Sequence, residues 1–193
     1  ERGFINAASP VVISWFWQND FYATRDAYLA ALADAMADEY RTIVDAGLDL
    51  QLDCPDLALS RHMLFTQLSD AEFVGVAESH IEALNQALDG IDPARVRVHI
   101  CWGNYEGPHV CDIDMDTVFP TLMKANARYV LFETSNPRHA HEWTVFRDRR
   151  TEIPDDKVLV PGVVDTHPHC DGQATGDQTF SPSIHHGVTT LVM

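Results

Sequence analysis

His99 and Cys101 close the alternating run Val96-Arg97-Val98-His99-Ile100-Cys101. In a strand, residues two apart share a face, so an imidazole and a thiol project side by side from one strand end. That pair suits a soft or borderline metal ion, zinc above all. A second apolar run, Tyr129-Val130-Leu131-Phe132, ends in Glu133, and an earlier one, Leu48 to Leu52, ends in Asp53. Polar groups at three successive strand ends are the way a parallel (β/α) barrel builds a site at one mouth. Taken singly, each residue has a plainer reading. His99 and Cys101 could be inward core residues, Glu133 a salt-bridged carboxylate, and Asp53 a turn residue before Pro55.

The elements that must position these groups alternate along the chain. Val11 to Phe16 reads as a short strand. Leu29, Leu32, Ala33, Met36, Tyr40, Ile43 and Val44 recur at helical steps, with Thr24 able to cap the start and Gly47 to end the helix. Leu48 to Leu52 is the next strand. Ser69 and Glu72 have capping-box spacing ahead of a helix burying Phe73, Val76, Ala77, Ile81, Leu84 and Leu88 and stopping near Gly90. The strand ending at Cys101 follows Asp92-Pro93. A helix is expected over 116–127, with Pro120 near its first turn, then the strand ending at Glu133, a weaker helix over 138–149 and a strand over 158–164. The fold class is therefore α/β with parallel strands. An incomplete (β/α)8 TIM-type barrel is preferred to a doubly wound open sheet, which gathers its site where the strand order reverses.

Composition narrows the function classes. The 193 residues carry 29 acidic against 13 basic side chains, a net charge of −16, which argues against a nucleic-acid partner. No stretch reaches the length of a membrane span, and no signal peptide is evident, so a cytoplasmic location is expected. Four cysteines, Cys54, Cys101, Cys111 and Cys170, are too few for a disulfide scaffold. Cys111 and Cys170 read as plain loop thiols. A full barrel needs about 250 residues. The chain starts at Glu1 and stops inside an apolar run at Met193, so both ends read as truncated, and open sheet edges would favour self-association.

The composition changes near Pro161. From there to Met193 there is no Lys or Arg, and four of the ten histidines fall in this stretch. Residues 166–183 are rich in Gly, Pro, Asp, Gln and Thr and lack a helical period. His167 and His169 are two apart and form a further potential ligand pair.

Residues 1–165 resemble the C-terminal catalytic domain of the cobalamin-independent methionine synthase family. The resemblance rests on His99-Ile100-Cys101 followed by Trp102-Gly103-Asn104-Tyr105-Glu106, on Glu133-Thr134-Ser135, on Gln51-Leu52-Asp53-Cys54-Pro55-Asp56 and on Ala7-Ala8-Ser9-Pro10. It implies a zinc-holding (β/α)8 barrel, with His99, Cys101 and Glu133 as zinc ligands and Asp53 holding the amino group of a homocysteine-like thiol. It also implies methyl transfer to that thiol from a methyl-folate-like donor. Cys54 stands where the family carries an acidic residue, and the Cys-Trp-Gly-Asn run is similar to the epoxyalkane:coenzyme M transferase branch. The family's fourth ligand, a cysteine from a later strand, is not found. From about residue 158 the chain resembles the start of an amidohydrolase barrel of the N-acyl-D-amino-acid deacylase type, in which His167 and His169 would bind metal. Residues 166–193 thus read as a fused or chimeric segment. Three functions follow as expectations: zinc-dependent S-alkyl transfer first, a metal-dependent amide hydrolase second, and an inactive metal-binding fragment third.

Overall fold

A computed structural model describes residues 2–103, 108–134, 138–162, 164–165 and 190–191. Five strands form one all-parallel sheet: β1 (Phe4–Ala8), β2 (Asp49–Cys54), β3 (Val96–Ile100), β4 (Tyr129–Glu133) and β5 (Val158–Gly162). They lie side by side in chain order, β1 to β5, without a reversal. That order removes the doubly wound alternative, whose strand sequence must turn back. The sheet is α/β and compatible with part of a barrel. A separate parallel pair joins Val164–Asp165 (β6) to Thr190–Leu191 (β7).

The crossovers carry α1 (Pro10–Phe16), α2 (Arg25–Asp45), α3 (Leu59–Met63), α4 (Asp70–Ala87), α5 (Met115–Leu122) and α6 (Trp143–Asp148). Strand alternation assigns the two sheet faces. Leu50, Leu52, Cys54, Val96, Val98, Ile100, Val130 and Phe132 are buried in one core with Tyr40, Phe73, Ile81, Leu84, Leu88, Val118 and Phe119 from the helices. The opposite face presents Asp49, Gln51 and Asp53 on β2, Arg97 and His99 on β3, and Tyr129, Leu131 and Glu133 on β4, in matched register.

Local signals explain most boundaries. The Thr24 hydroxyl accepts from Ala27 N–H to start α2. Its end is a Schellman turn: Leu48 N–H donates to Ile43 O and Gly47 N–H to Val44 O, with Gly47 at φ +88°. Ser69 and Glu72 close a reciprocal capping box on α4.

Two expectations fail. The run Val11–Phe16 is helix α1 rather than a strand, because Ser9 caps it by accepting from Val12 N–H and Pro10 occupies the first turn. The first strand is instead Phe4–Ala8. Helix α5 is also shorter than expected and holds Pro120 in its interior. Proline lacks the N–H that would reach back to Asp116 O. Arg149 fills that place: its guanidinium donates to Asp116 O at 2.8 Å and to the Asp116 carboxylate at 3.2 Å.

The two ends of the sheet differ in chemistry. At the N-terminal end, Arg2 and Arg95 both donate to Asp49 Oδ1, and the Arg97 guanidinium lies 4.1 Å from the Phe4 ring centroid. Burial lowers the pKa of Arg97, while Asp49 opposes the shift. Ion pairs and a cation–π contact close this end. The strand C-termini carry the candidate site.

Candidate functional site

Parallel pairing brings Asp53, His99, Cys101 and Glu133 to the same end of the sheet. Asp53 pairs in register with His99, and His99 with Leu131, two residues before Glu133. His99 Nδ1 lies 2.8 Å from Asp53 Oδ1. An ionised carboxylate can only accept, so the proton of neutral His99 belongs on Nδ1 and the lone pair on Nε2. This carboxylate–imidazole arrangement is the one that orients a metal-ligating histidine. Asp53, to which the resemblance gives the amino group of the substrate, thus also contacts His99.

Cys101 is fixed from both sides. Its carbonyl accepts from Leu59 N–H at 3.1 Å, and its Sγ accepts from Gly103 N–H at 3.0 Å. Gly103 is required by its φ of +79° and by crowding, since a Cβ there would sit 2.9 Å from both terminal methyls of Leu59. Beside Glu133, Gly162 is constrained by backbone alone: a Cβ would meet Phe132 O at 2.7 Å. A narrow cleft between β3, β4 and β5 is lined by His99, Leu131, Glu133, Val160 and Gly162. An imidazole, a thiol and a carboxylate stand at one end of the sheet, donor types that zinc takes, but among the described residues the ligand atoms of His99, Cys101 and Glu133 do not all lie within 4.8 Å of one another.

Cys54, next to Asp53 in sequence, points the other way into the helix-facing core and is fully buried. Burial, and then the nearby Asp56 and Asp53 charges, push its thiol pKa up. It is a core residue. The segment after Asp53 is anchored by a buried network. Asp56 accepts from the Ser9 hydroxyl at 2.5 Å, and its carboxylate lies 3.4 Å from His80 Nδ1. Arg25 donates to His80 Nε2 at 3.0 Å. The Tyr40 hydroxyl donates to Ala8 O, and burial raises its pKa. This network joins the ends of β1 and β2 to α4 and holds the backbone that carries Asp53.

A second cluster was not foreseen. His109 and Asp112 lie in the loop between β3 and α5, and His139 lies in the loop between β4 and α6. One carboxylate oxygen, Asp112 Oδ2, stands 2.7 Å from His109 Nδ1 and 3.0 Å from His139 Nε2. The ligand atoms of the three residues lie within 4.8 Å of one another. Trp102 stacks on His139 at 4.4 Å, and its indole N–H donates to Ile113 O. Glu142 Oε1 is 3.6 Å from His139 Nδ1, while Glu142 Oε2 accepts from Met115 N–H. The spacing of His109 and Asp112 was a visible hint. Their meeting with His139, 27 residues beyond Asp112, depends on the pairing of β3 with β4.

Asn104, Tyr105, Glu106 and Ser135 lie outside the described residues. So do His167, His169 and Cys170, and with them the hydrolase-type ligand pair. Among the described residues, no helix is long and apolar enough to cross a membrane.

No protein-family model matches the chain. It is similar, at a distance, to curated methionine synthases. One from Saccharolobus solfataricus is 27% identical over 117 residues, covering 59% of this chain and 31% of that protein. One from Sulfolobus acidocaldarius is 25% identical over 125 residues, covering 63% of this chain and 33% of its own length. The matched region thus spans about a third of these relatives.

Proposed function

We propose that this chain carries part of a zinc-dependent S-alkyltransferase site of the methionine synthase type. Its five-stranded sheet would be part of a (β/α)8 barrel. A small homocysteine-like thiol would be the acceptor and a methyl-folate-like compound the donor. The observation that carries the reading is the Asp53–His99 pair at the strand C-termini, with Cys101 immediately after the end of β3. The similarity to methionine synthases supports it independently.

His99, Cys101 and Glu133 would hold the ion, which when bound favours the thiolate of the acceptor at neutral pH. Asp53 fixes the His99 ring and its tautomer. It also supplies negative charge at the mouth, suited to the ammonium group of an amino-acid thiol. The Gly103 N–H directed at Cys101 Sγ is the contact a ligating sulfur makes with its surroundings. No protein nucleophile is required, because the acceptor's own sulfur attacks the alkyl carbon. The amide-hydrolase reading rests on His167 and His169, and nothing in the described residues favours it.

Cobalt replacing zinc provides the test. Cobalt(II) bound at Cys101 should show thiolate-to-metal charge transfer, and homocysteine should intensify it by adding a second sulfur. Both effects should be lost in Cys101→Ser and weakened in His99→Ala. A cobalt spectrum indifferent to homocysteine, or unchanged in Cys101→Ser, would overturn the proposal.

A further inference from the structure

We infer that His109, Asp112 and His139 form a second binding site for a divalent transition-metal ion, separate from the His99–Cys101–Glu133 mouth and clamping the β3–α5 loop to the β4–α6 loop. The donor set is two imidazoles and one carboxylate, the chemistry preferred by zinc and its neighbours. Thiolate plays no part in it.

Four observations support the assignment. First, the carboxylate is used asymmetrically. Both histidines face Asp112 Oδ2, while Asp112 Oδ1 is shielded from solvent without a hydrogen-bond partner. A carboxylate serving only as a hydrogen-bond acceptor has two oxygens over which to spread its donors. Two imidazole nitrogens brought to one carboxylate oxygen place three ligand atoms beside one another, as an ion requires.

Second, the two imidazole–carboxylate spacings are near those of a metal site. Metal–ligand bonds of about 2.0–2.1 Å in a tetrahedral site place ligand atoms about 3.3 Å apart. The contacts of 2.7 and 3.0 Å need to open by about half an ångström. Hydrogen bonds therefore hold the ligands nearly in place before any ion arrives. Entry of an ion would replace these two hydrogen bonds.

Third, His139 has the outer contact of a metal-ligating histidine. Its Nε2 faces Asp112, and its Nδ1, buried and without a hydrogen-bond partner, lies 3.6 Å from Glu142 Oε1. Metal at Nε2 would place the ring proton on Nδ1, directed at that carboxylate.

Fourth, the site is largely shielded from solvent. The His109, Asp112 and His139 side chains are 3%, 12% and 7% exposed, Trp102 covers one face of His139, and His62 stacks on His109 at 5.1 Å. Three protein ligands leave one coordination position for water or a small anion.

The test uses cobalt(II) alone as probe, on the full chain with the first mouth disabled by His99→Ala and Cys101→Ser. We expect about one equivalent to bind, with d–d absorption and no thiolate charge transfer. Adding Asp112→Asn should weaken this binding by roughly 100-fold, and His139→Gln by at least tenfold. Circular dichroism checks that each variant is folded. A measurement on the unaltered chain covers the case of a variant that does not fold. Zinc should shift the ring-nitrogen resonances of His109 and His139 in a ¹⁵N-histidine spectrum. Absence of cobalt binding in the folded double variant, binding indifferent to Asp112→Asn, or His109 and His139 resonances unmoved by zinc would each overturn the inference. Absence of sulfur-to-cobalt absorption in the unaltered chain, with this site retained, would count against the proposed S-alkyltransferase site alone.

Discussion

Replacing Asp53 by alanine removes the carboxylate 2.8 Å from His99 Nδ1. His99 then loses the acceptor that keeps its proton on Nδ1 and its ring in one plane. A hydrogen bond to a charged group contributes about 1.5–3 kcal/mol. The Asp53 side chain is 27% exposed and that of His99 13%. Solvent screening therefore favours the lower half of the range, about 1.5–2 kcal/mol. With each 1.4 kcal/mol equal to tenfold, zinc affinity at the His99–Cys101–Glu133 mouth should fall about 10–30-fold. Asp53→Asn grades the effect. Its carbonyl can still accept from Nδ1–H, so the tautomer survives and only the charge is lost, leaving a fall of about threefold to tenfold. Competition against a chromophoric chelator measures both variants, with Asp112→Asn included throughout so that only one site is titrated. The reasoning is refuted if Asp53→Ala binds zinc within twofold of its parent, or if asparagine proves the more damaging change.

Three other outcomes follow from the geometry. Gly103→Ala should cost about 1–2 kcal/mol in urea unfolding from its positive φ, with the Leu59 methyls moving aside; an unchanged midpoint would contradict the backbone strain. Asp56→Ala should destabilise the chain by about 1–3 kcal/mol, because it leaves the buried Ser9 hydroxyl without its acceptor and removes the carboxylate beside His80, whose Nδ1 keeps only the residue 56 carbonyl; thermal unfolding reads this directly. Glu72 is held below the ordinary carboxylate range by the Ser69 backbone N–H and hydroxyl. Its folded pKa is lower than its unfolded one. Its contribution is therefore complete above the unfolded value of about 4.5 and fades as pH falls through the folded one. The difference in Tm between wild type and Glu72→Gln should shrink on acidification over that window, and a difference independent of pH would exclude the mechanism.

The features legible in sequence were those whose cause is local. Thr24, Gly47, Ser69 and Glu72 act on neighbours within four residues, and the structure uses each of them as the spacing implied. Strands β3 and β4 were also legible, because Val96, Val98 and Ile100 alternate with polar residues, and Val130 and Phe132 with Leu131 and Glu133. The short run Val11–Phe16 was ambiguous, since six residues, five of them apolar, suit either period. Ser9-Pro10 held the information that decides it, a cap followed by proline at the first helical position. The partner of Asp53 was hidden because the β2–β3 register determines which side chain faces it. The His109–Asp112–His139 cluster was hidden more deeply, being assembled from two irregular loops with no period to follow.

Asp53 and Cys54 are consecutive in the chain, yet one faces the mouth and the other the core. Cys54 is inaccessible, and its thiol is disfavoured as a nucleophile, whereas Cys101 and Cys111 are partly exposed. The protein thus carries its own clock for structural opening. A thiol reagent in excess should modify Cys101 and Cys111 promptly. It can reach Cys54 only when α2 or α4 lifts from β2, so the slow phase of labelling measures the free energy of that excursion. Ligands that tighten the strand ends without touching the helices would leave the slow phase unaltered, and those that couple the two layers would lengthen it. One residue step along β2 therefore separates a reporter of binding from a reporter of folding.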